Sequence, residues 1–383
     1  MTRVKQIGIS ADPKISFGRT IITGVARYAL EAGDWELDTT GGVPYLSQGR
    51  VMQWRGDGMV GVIGPRLARA LRARKIPFVN ISSVLTERIR PSVVIDNRAV
   101  GTMAAEHLLA KGFRRFALAC DSERYHMRLR REAFEQRLAS EGCSCRAFAV
   151  ERLAEDEETI DFKVDELAGW LVEQGEPVGV FGVQDPIARS VIRRCLQRGL
   201  HVPEDVGVMG EGNWHFVCDM VTPRLTSIDI GAERIGYQAA RLLDEMLAGR
   251  ASPKEPILLL PVGVVQRQST DVLAIEDESV RDALRFIRAN AHAPVQIPDV
   301  LADVPVARST LEKRFRRILG RSIHEEIRRA RVERACALLT ETDMSIKRIS
   351  AACGYATQDR FNFAFKRERK TTPLAYRKTH RAG

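Results

Sequence analysis

Over the first 270 residues, short unbroken apolar runs alternate with longer stretches in which apolar positions recur every three or four residues. The runs at 4–10, 59–64, 77–82, 92–97, 114–120, 145–150, 178–183 and 206–210 read as strands. The stretches at 19–33, 65–75, 98–112, 128–141, 159–174 and 186–199 read as helices. Runs such as "VGVFGV" and "VGVMG" carry no polar alternation, which predicts parallel strands covered on both faces. So many βα units exceed one doubly wound sheet. We therefore expect two lobes, with the chain crossing near Ile95–Arg114 and returning near Ser227–Arg241. Sheets of this kind bind ligands outside the carboxyl ends of their strands.

After residue 279 the strand-like runs stop and only the helical period remains. A helix over 280–290 turns Val280, Leu284 and Ile287 to one side. A short helix from 297, a turn near Val304–Pro305 and a second helix to Gly320 follow, with Leu311, Phe315 and Ile318 inward. After the long helix 322–341 the unit repeats: a short helix over 345–352, a turn at Gly354 and a helix over 357–369. Two helix-turn-helix units joined by a helix are predicted, and such a unit lays its second helix in the major groove of DNA. Thr357, Gln358, Asp359, Arg360 and Asn362 fall on the exposed early face of the last one. Gln, Asn and Arg hydrogen-bond base edges, whereas Lys366, Arg367, Arg369 and Lys370 suit phosphates or plain surface. Phe361 and Phe365, four apart, are expected in the core.

Charge sharpens the division. Residues 279–383 hold 23 Lys and Arg against 11 Asp and Glu, a net of +12, while the whole chain carries +10. A nearly neutral body thus bears one strongly basic domain, which points to nucleic acid. The seven cysteines are scattered without a C-x-x-C and are expected as reduced thiols packed as small apolar groups. No Cys/His spacing suits a metal. No apolar run reaches the length of a membrane span or a signal peptide, so a cytoplasmic protein with no membrane contact is expected.

The stretch "ISAACGYATQDRFNFAFKRERKTTPLAYR" resembles the AraC/XylS-type DNA-binding domain, through Gly354-Tyr355, the Phe361-to-Lys366 run and the Thr372-to-Arg377 run. The resemblance places reading positions of the first unit on Arg308, Ser309, Glu312 and Lys313, with Glu312 suited to cytosine or serving as a spacer, and Phe363 standing where a polar residue is common. The first 270 residues resemble instead the sugar-binding core of LacI/GalR-type repressors and periplasmic binding proteins. "VVIDNRAVGTMAAEHLLAKGFRRFAL", "RLRREAFEQRL", "VQDPIARSVIRRCLQRGLHVPEDVGVMGEGN" and "LTSIDIGAERIGYQAARLL" carry that likeness. Core and tail in this order are similar to the architecture of xylose-operon regulators. The implied fold class is an α/β, two-lobed periplasmic-binding-protein-like sensor with parallel sheets (1–272), a linker (273–279) and an all-α domain with two helix-turn-helix units (280–383).

That likeness implies a small-molecule effector, a sugar such as D-xylose, held between the lobes without cofactor or metal. By motif, Arg130 matches the ligand-binding arginine and Asp185 the carboxylate after "VGVFGV". Ser10, Phe17 and Arg19 line the first strand–helix loop, and Trp54 is either a stacking wall or a core residue. The Asp that usually follows the later strand is replaced by Gly212 within Glu211-Gly212-Asn213, so Asn213 or Glu211 stands in for it and the effector need not be xylose. The implied partners are double-stranded operator DNA, RNA polymerase and a second copy of the chain; activation is the family's usual sign. An enzyme on a Rossmann-like body is disfavoured, because neither G-x-G-x-x-G nor a P-loop motif is present.

Overall fold

The computed structural model describes residues 3–38, 54–84, 89–121, 124–153, 161–271 and 277–380. The chain folds as two compact units, Met1–Val272 and Leu273–Gly383. Of the expected linker 273–279, residues 273–276 lie outside the described residues, while Asp277 caps the first helix of the second unit and Glu278 and Ser279 already belong to it.

The first unit opens with β1 (Lys5–Ser10), α1 (Ser16–Ala32), β2 (Trp35–Asp38), β3 (Gly58–Gly61), α2 (Pro65–Ala73) and β4 (Phe78–Asn80). These form a parallel sheet of order β2-β1-β3-β4. β5 (Val93–Ile95) leads into α3 (Asn97–Ala110), whose first turn is capped by Asp96 accepting from the amides of Arg98 and Ala99. The second lobe contains β6 (Arg115–Cys120), α4 (Tyr125–Ala139), β7 (Cys145–Ala149), β8 (Glu151–Arg152), β9 (Phe162–Lys163), α5 (Asp165–Val172), β10 (Val178–Gly182), α6 (Asp185–Gln197), β11 (Val206–Glu211), α7 (His215–Asp219) and β12 (Thr226–Asp229). α8 (Ala232–Leu247) packs back on α1, so closely that a Cβ on Gly24 or Gly236 would sit 2.0 or 2.2 Å from a carbonyl oxygen of the other helix. β13 (Ile257–Leu259) then pairs with β5, and β14 (Gly263–Val265) runs antiparallel to β12 at the edge of the six-stranded sheet β14-β12-β11-β10-β6-β7. The chain thus passes between the lobes a third time, between Leu259 and Gly263.

The central strands β10 and β11 are buried along their whole length, as expected of strands with helices on both faces. Phe116, Phe134 and Phe181 are fully buried around them, each burial contributing roughly 1.5–3 kcal/mol. The expected helix over 159–174 begins only at Asp165, because Phe162–Lys163 pairs antiparallel with Glu151–Arg152; residues 154–160 lie outside the described residues.

The second unit is all helical: α9 (Glu278–Ala289), α10 (Ile297–Asp303), α11 (Arg308–Leu319), α12 (Ile323–Glu341), α13 (Ile346–Ala352), α14 (Gln358–Arg369) and α15 (Pro373–His380). It has two cores. One gathers Leu284, Val300, Leu311, Phe315 and Ile323, the other Leu339, Ile349, Cys353, Phe361 and Phe365. α12 belongs to both, and its 19 residues span about 28 Å. It starts at a capping box in which Ser322 and Glu325 satisfy each other's amides. The motif residues near the end of the chain are structural: the Tyr376 ring meets Phe365 edge-on at 5.5 Å, and Arg377 donates to the carbonyls of Leu339 (3.2 Å) and Met344 (2.6 Å).

Candidate effector site and candidate nucleic-acid interface

In the first unit the polar residues named from sequence divide into two sets. At the carboxyl ends of β10 and β11 in the second lobe, Arg130 bonds Asn97 and Glu211 in one hydrogen-bonded group, while Asp185 and Asn213 share Ser227 in another. Ser10, Phe17 and Arg19 sit on the β1–α1 connection of the first lobe.

Arg130, on α4, is 4% exposed. Its guanidinium grips Glu211, at the end of β11, with two parallel bonds of 2.6 and 2.8 Å. It also donates to Asn97 Oδ1 (2.9 Å) and the Val183 carbonyl (3.1 Å). The fork matches a carboxylate, the geometry for which arginine is suited. Glu211 is as buried as Arg130, and burial pushes its carboxyl up to about 7, although Arg130 pulls it down.

Asp185 is fully buried at the start of α6. One oxygen accepts from Ser227 Oγ (2.6 Å); the other accepts from the Trp214 amide (2.8 Å) and from Cys218 Sγ (3.4 Å). Burial raises its carboxyl to about 6, against those donors. A side chain at Gly210 would collide with it, its Cβ 2.3 Å from Asp185 Oδ1. Asn213, in a left-handed turn at φ 49, donates from its own amide to Ser227 Oγ, donates from Nδ2 to Asp229 (3.2 Å) and accepts from Arg267 (2.8 Å). Asp185 and Asn213 are therefore joints that hold α6, β11, β12 and the Trp214 turn together, with most of their bonding capacity already taken. Glu211, expected only as a substitute, is the carboxylate that faces the arginine. Asn97 and Ser227 were missed; the one signal for Asn97 is a polar residue opening a helix straight after an apolar strand.

The first-lobe residues differ. Ser10 is buried and donates to the Val62 carbonyl at 3.2 Å. Phe17 is half-buried in the first turn of α1. Arg19 is exposed and donates to the carbonyls of Pro13 (3.1 Å) and Lys14 (2.7 Å), so it staples its own loop. Trp54 is half-buried and lies against the first-lobe core with its Nε1 on Asp38 (2.9 Å) and its ring over Gly8 and Gly56, the arrangement of the core alternative. Packing of a large flat ring against two glycines is why the core claims it.

These shifts predict a pH effect. Glu211 and Asp185 have folded values raised above their unfolded ones, so each adds stability that is present below about pH 4 and lost as pH rises through about 7 and 6 respectively. His126, buried, and His107, half-buried, are both held below the usual histidine value by desolvation and act oppositely, losing stability as pH falls below about 6.5. The whole-chain profile is their sum, so the informative quantity is a difference. Relative to Glu211→Gln, the wild-type chain should lose about 3 kcal/mol between pH 4.5 and pH 8, read from denaturant midpoints.

In the second unit the named residues lie on two surface helices. On α11, Arg308, Ser309 and Lys313 are exposed, and Arg308 Nε holds Glu312 at 3.0 Å along the helix. On α14, Gln358, Asp359, Arg360 and Lys366 are exposed and Asn362 is half-buried. Thr357 is also exposed, but its hydroxyl caps the helix by accepting from the Arg360 amide, a fixed duty for part of the expected reading face. Phe361 and Phe365 are core, as spaced. An Arg328–Glu368 pair at 2.5 Å ties α14 to α12. Each helix thus shows a polar, cation-rich face to solvent and is fixed by its own core. Among the described residues no cluster of His, Cys, Asp or Glu suits a metal, and no helix is long and apolar enough to cross a membrane. All seven cysteines are free thiols.

Comparison with known proteins agrees with this anatomy. Residues 105–270 match a periplasmic binding protein-like domain and residues 301–379 a helix-turn-helix domain. The xylose operon regulatory protein of Escherichia coli (strain K12) is 32% identical, over 98% of this chain and 97% of that protein. That of Haemophilus influenzae is 29% identical, over 94% and 95%. A solved structure of a xylose-binding transcription activator superposes with a TM-score of 0.80 at 30% identity, covering both chains completely. A transcriptional regulator in complex with cellobiose, 21% identical, shares the fold of the sensor alone, with a TM-score of 0.56 over 70% of this chain. A two-lobed sensor followed by paired helix-turn-helix units, alike over its whole length to these regulators, makes the chain a member of the xylose operon regulatory protein family, a DNA-binding transcription regulator.

Proposed function

We propose that the chain activates sugar-catabolism genes when a small polyol, a pentose such as D-xylose, binds between its two lobes. The observation that carries this reading is the buried Arg130–Glu211 fork at the carboxyl ends of the second-lobe strands, on the same chain as two solvent-facing polar helices. Arg130, Glu211 and Asn97 supply bidentate donors and acceptors of the kind vicinal hydroxyls require. His126 Nδ1, buried without a partner among the described residues, offers one more. Ser10, Phe17 and Arg19 belong to the opposing wall, and Asp185 and Asn213 hold the network in place. Binding favours the closed lobes by its differential affinity for the open and closed states.

Closure then biases how the DNA-binding domains of a homodimer engage operator half-sites and recruit RNA polymerase, in the cytoplasm. Base edges are read by Arg308, Ser309, Glu312 and Lys313 in one groove and by Gln358, Asp359, Arg360 and Asn362 in the next, with Thr357 and Lys366 at the margins. The domain boundaries are those of the sequence reading: sensor 1–272, linker 273–279, DNA-binding domain 280–383. A second reading keeps the build but changes the effector. It is favoured by Gly212 and by the carboxylate reaching Arg130 from Glu211 instead, which reshapes the floor of the site.

Thermal unfolding of the full chain against pentoses, hexoses and nucleobases decides. A pentose at about a hundred times its Kd should add about 2.7 kcal/mol and raise the sensor transition by roughly 5–10 °C. A shift from a nucleobase or hexose alone selects the second reading, and no shift from any of them removes the sensor reading.

A further inference from the structure

α14 carries two apolar faces. Phe361, Ala364 and Phe365 form the buried one. Phe363, two residues from each flanking phenylalanine, points away from that core and is 72% exposed. It is not an isolated surface residue: with Ile346, Leu374 and the side chains of Gln358, Asn362 and Lys366 it lines a groove of about 360 Å³. Leu374 is itself 54% exposed. An exposed aromatic and an exposed leucine sharing a groove mark a surface that something covers.

The charge around the groove says what. Lys366 is in its wall, Arg360, Arg367, Arg369 and Lys370 are exposed on the same helix or at its end, and the domain carries +12. The groove's polar wall includes, besides Lys366 and Thr372, the side chains of Gln358 and Asn362, amides that pair with base edges. A polyanion with an apolar spot suits this combination, and in the major groove the only methyl group belongs to thymine. We propose that Phe363, with Leu374 behind it, packs against the 5-methyl of a thymine in the operator and so fixes one T·A pair that no hydrogen bond of α14 specifies. The inference deepens the reading of α14 as a DNA-reading helix and rests on it. In chemistry it predicts a contact that depends on a methyl and is indifferent to salt, beside contacts that depend on charge.

The test uses the full chain and the duplex that the wild-type chain selects from a random-sequence library. Each thymine of that duplex is replaced in turn by uracil, which removes only the methyl. At one position wild-type affinity should fall about fourfold, the share of one buried methyl. Phe363→Ala should lose about tenfold on the thymine duplex and show no further loss with uracil, while Phe363→Leu keeps most of the methyl dependence, which separates contact from misfolding. A selection repeated with Phe363→Ala should return a motif in which that position no longer prefers T·A. The inference is overturned if no uracil substitution changes wild-type binding, if Phe363→Ala weakens selected and random duplexes equally, or if it leaves DNA binding intact and lowers only transcription, which would assign the groove to a protein partner. Arg360→Ala on the same duplexes keeps the two claims apart. Lost base preference there with an inert Phe363 removes this inference alone, and unchanged preference in both variants removes the reading of α14 as well.

Discussion

Arg130→Ala should lower the stability of the sensor by about 3–5 kcal/mol at neutral pH and abolish the effector response. The cause is Glu211. Its carboxylate is 4% exposed, and among the described residues the guanidinium that grips it through two bonds is its counter-charge. Removing the arginine strands a buried carboxylate and also orphans Asn97 Oδ1 and the Val183 carbonyl, which the same guanidinium satisfies. The carboxyl can escape by taking up a proton, and burial has already brought it to about 7. The penalty should therefore be smaller at pH 5, where the acid is neutral in both proteins, and grow above pH 7. Replacing both partners by apolar groups of similar size, Arg130→Met with Glu211→Leu, should recover most of the stability, because a buried ion pair exchanged for packing is often neutral. The effector response should stay absent in the double variant. Denaturant midpoints and effector calorimetry on the single, double and wild-type chains separate the two roles. A double variant as unstable as the single one would show that the loss comes from packing around α4, and a retained effector response in either would remove the fork from the binding site.

The same pair shows where sequence reading reaches its limit. The strands that flank it were legible because β10 and β11 are apolar on both faces, and only a parallel sheet under helices asks for that pattern. The edge strand Trp35–Asp38 was not, since "WELD" needs burial on one side at most and carries no run. The five-residue helix His215–Asp219 is too short to display a period. Arg130 was named by its motif, but its partner lies 81 residues away. Their meeting depends on α4 and β11 flanking the same sheet end, which is a matter of strand order, not of local pattern. Asp185 shows the converse. Its position is readable from "VQDP", whereas the three donors that occupy it arrive from β12, α7 and the turn between β11 and α7. In the basic domain more was legible, because helix faces follow from spacing of three and four. Phe361 and Phe365 read as core, and their neighbour Phe363 read as a departure. That Thr357 caps α14 is also written locally, in a threonine three residues before Arg360, but a hydroxyl at a helix start suits capping and base contact equally until the geometry is known.

Gly354→Ala should be the most damaging single methyl in the DNA-binding unit, lowering its stability by about 3 kcal/mol or more and its preference for the selected operator over random DNA by about a hundredfold. Gly354 forms the turn between α13 and α14 with φ 71, a left-handed conformation that costs other residues roughly 1–2 kcal/mol. Steric overlap adds more than the backbone angle does. A Cβ there would lie 2.2 Å from the Ala293 carbonyl oxygen and 2.6 Å from its carbon, so backbone must move. That backbone cannot yield freely, because Arg331 of α12 donates to the carbonyls of Ala293 (3.2 Å) and Val295 (2.8 Å). Ala293 and Val295, after α9, belong to the first helix-turn-helix core, while Gly354 sits between Cys353 and Tyr355 of the second. The turn is thus a seam at which the two reading helices are held at one spacing, and a methyl placed in it pries them apart. Gly320→Ala is the matched control. Gly320 ends α11 at φ 65, yet among the described residues beyond its chain neighbours nothing lies within 4 Å of the position its Cβ would take. It should lose about 1 kcal/mol and keep operator preference. Both variants should keep the effector-induced shift of the sensor transition, which confines the damage to the second unit. If the two alanines weaken operator preference equally, the left-handed backbone is the whole effect, and the seam at Ala293 does not set the spacing between α11 and α14.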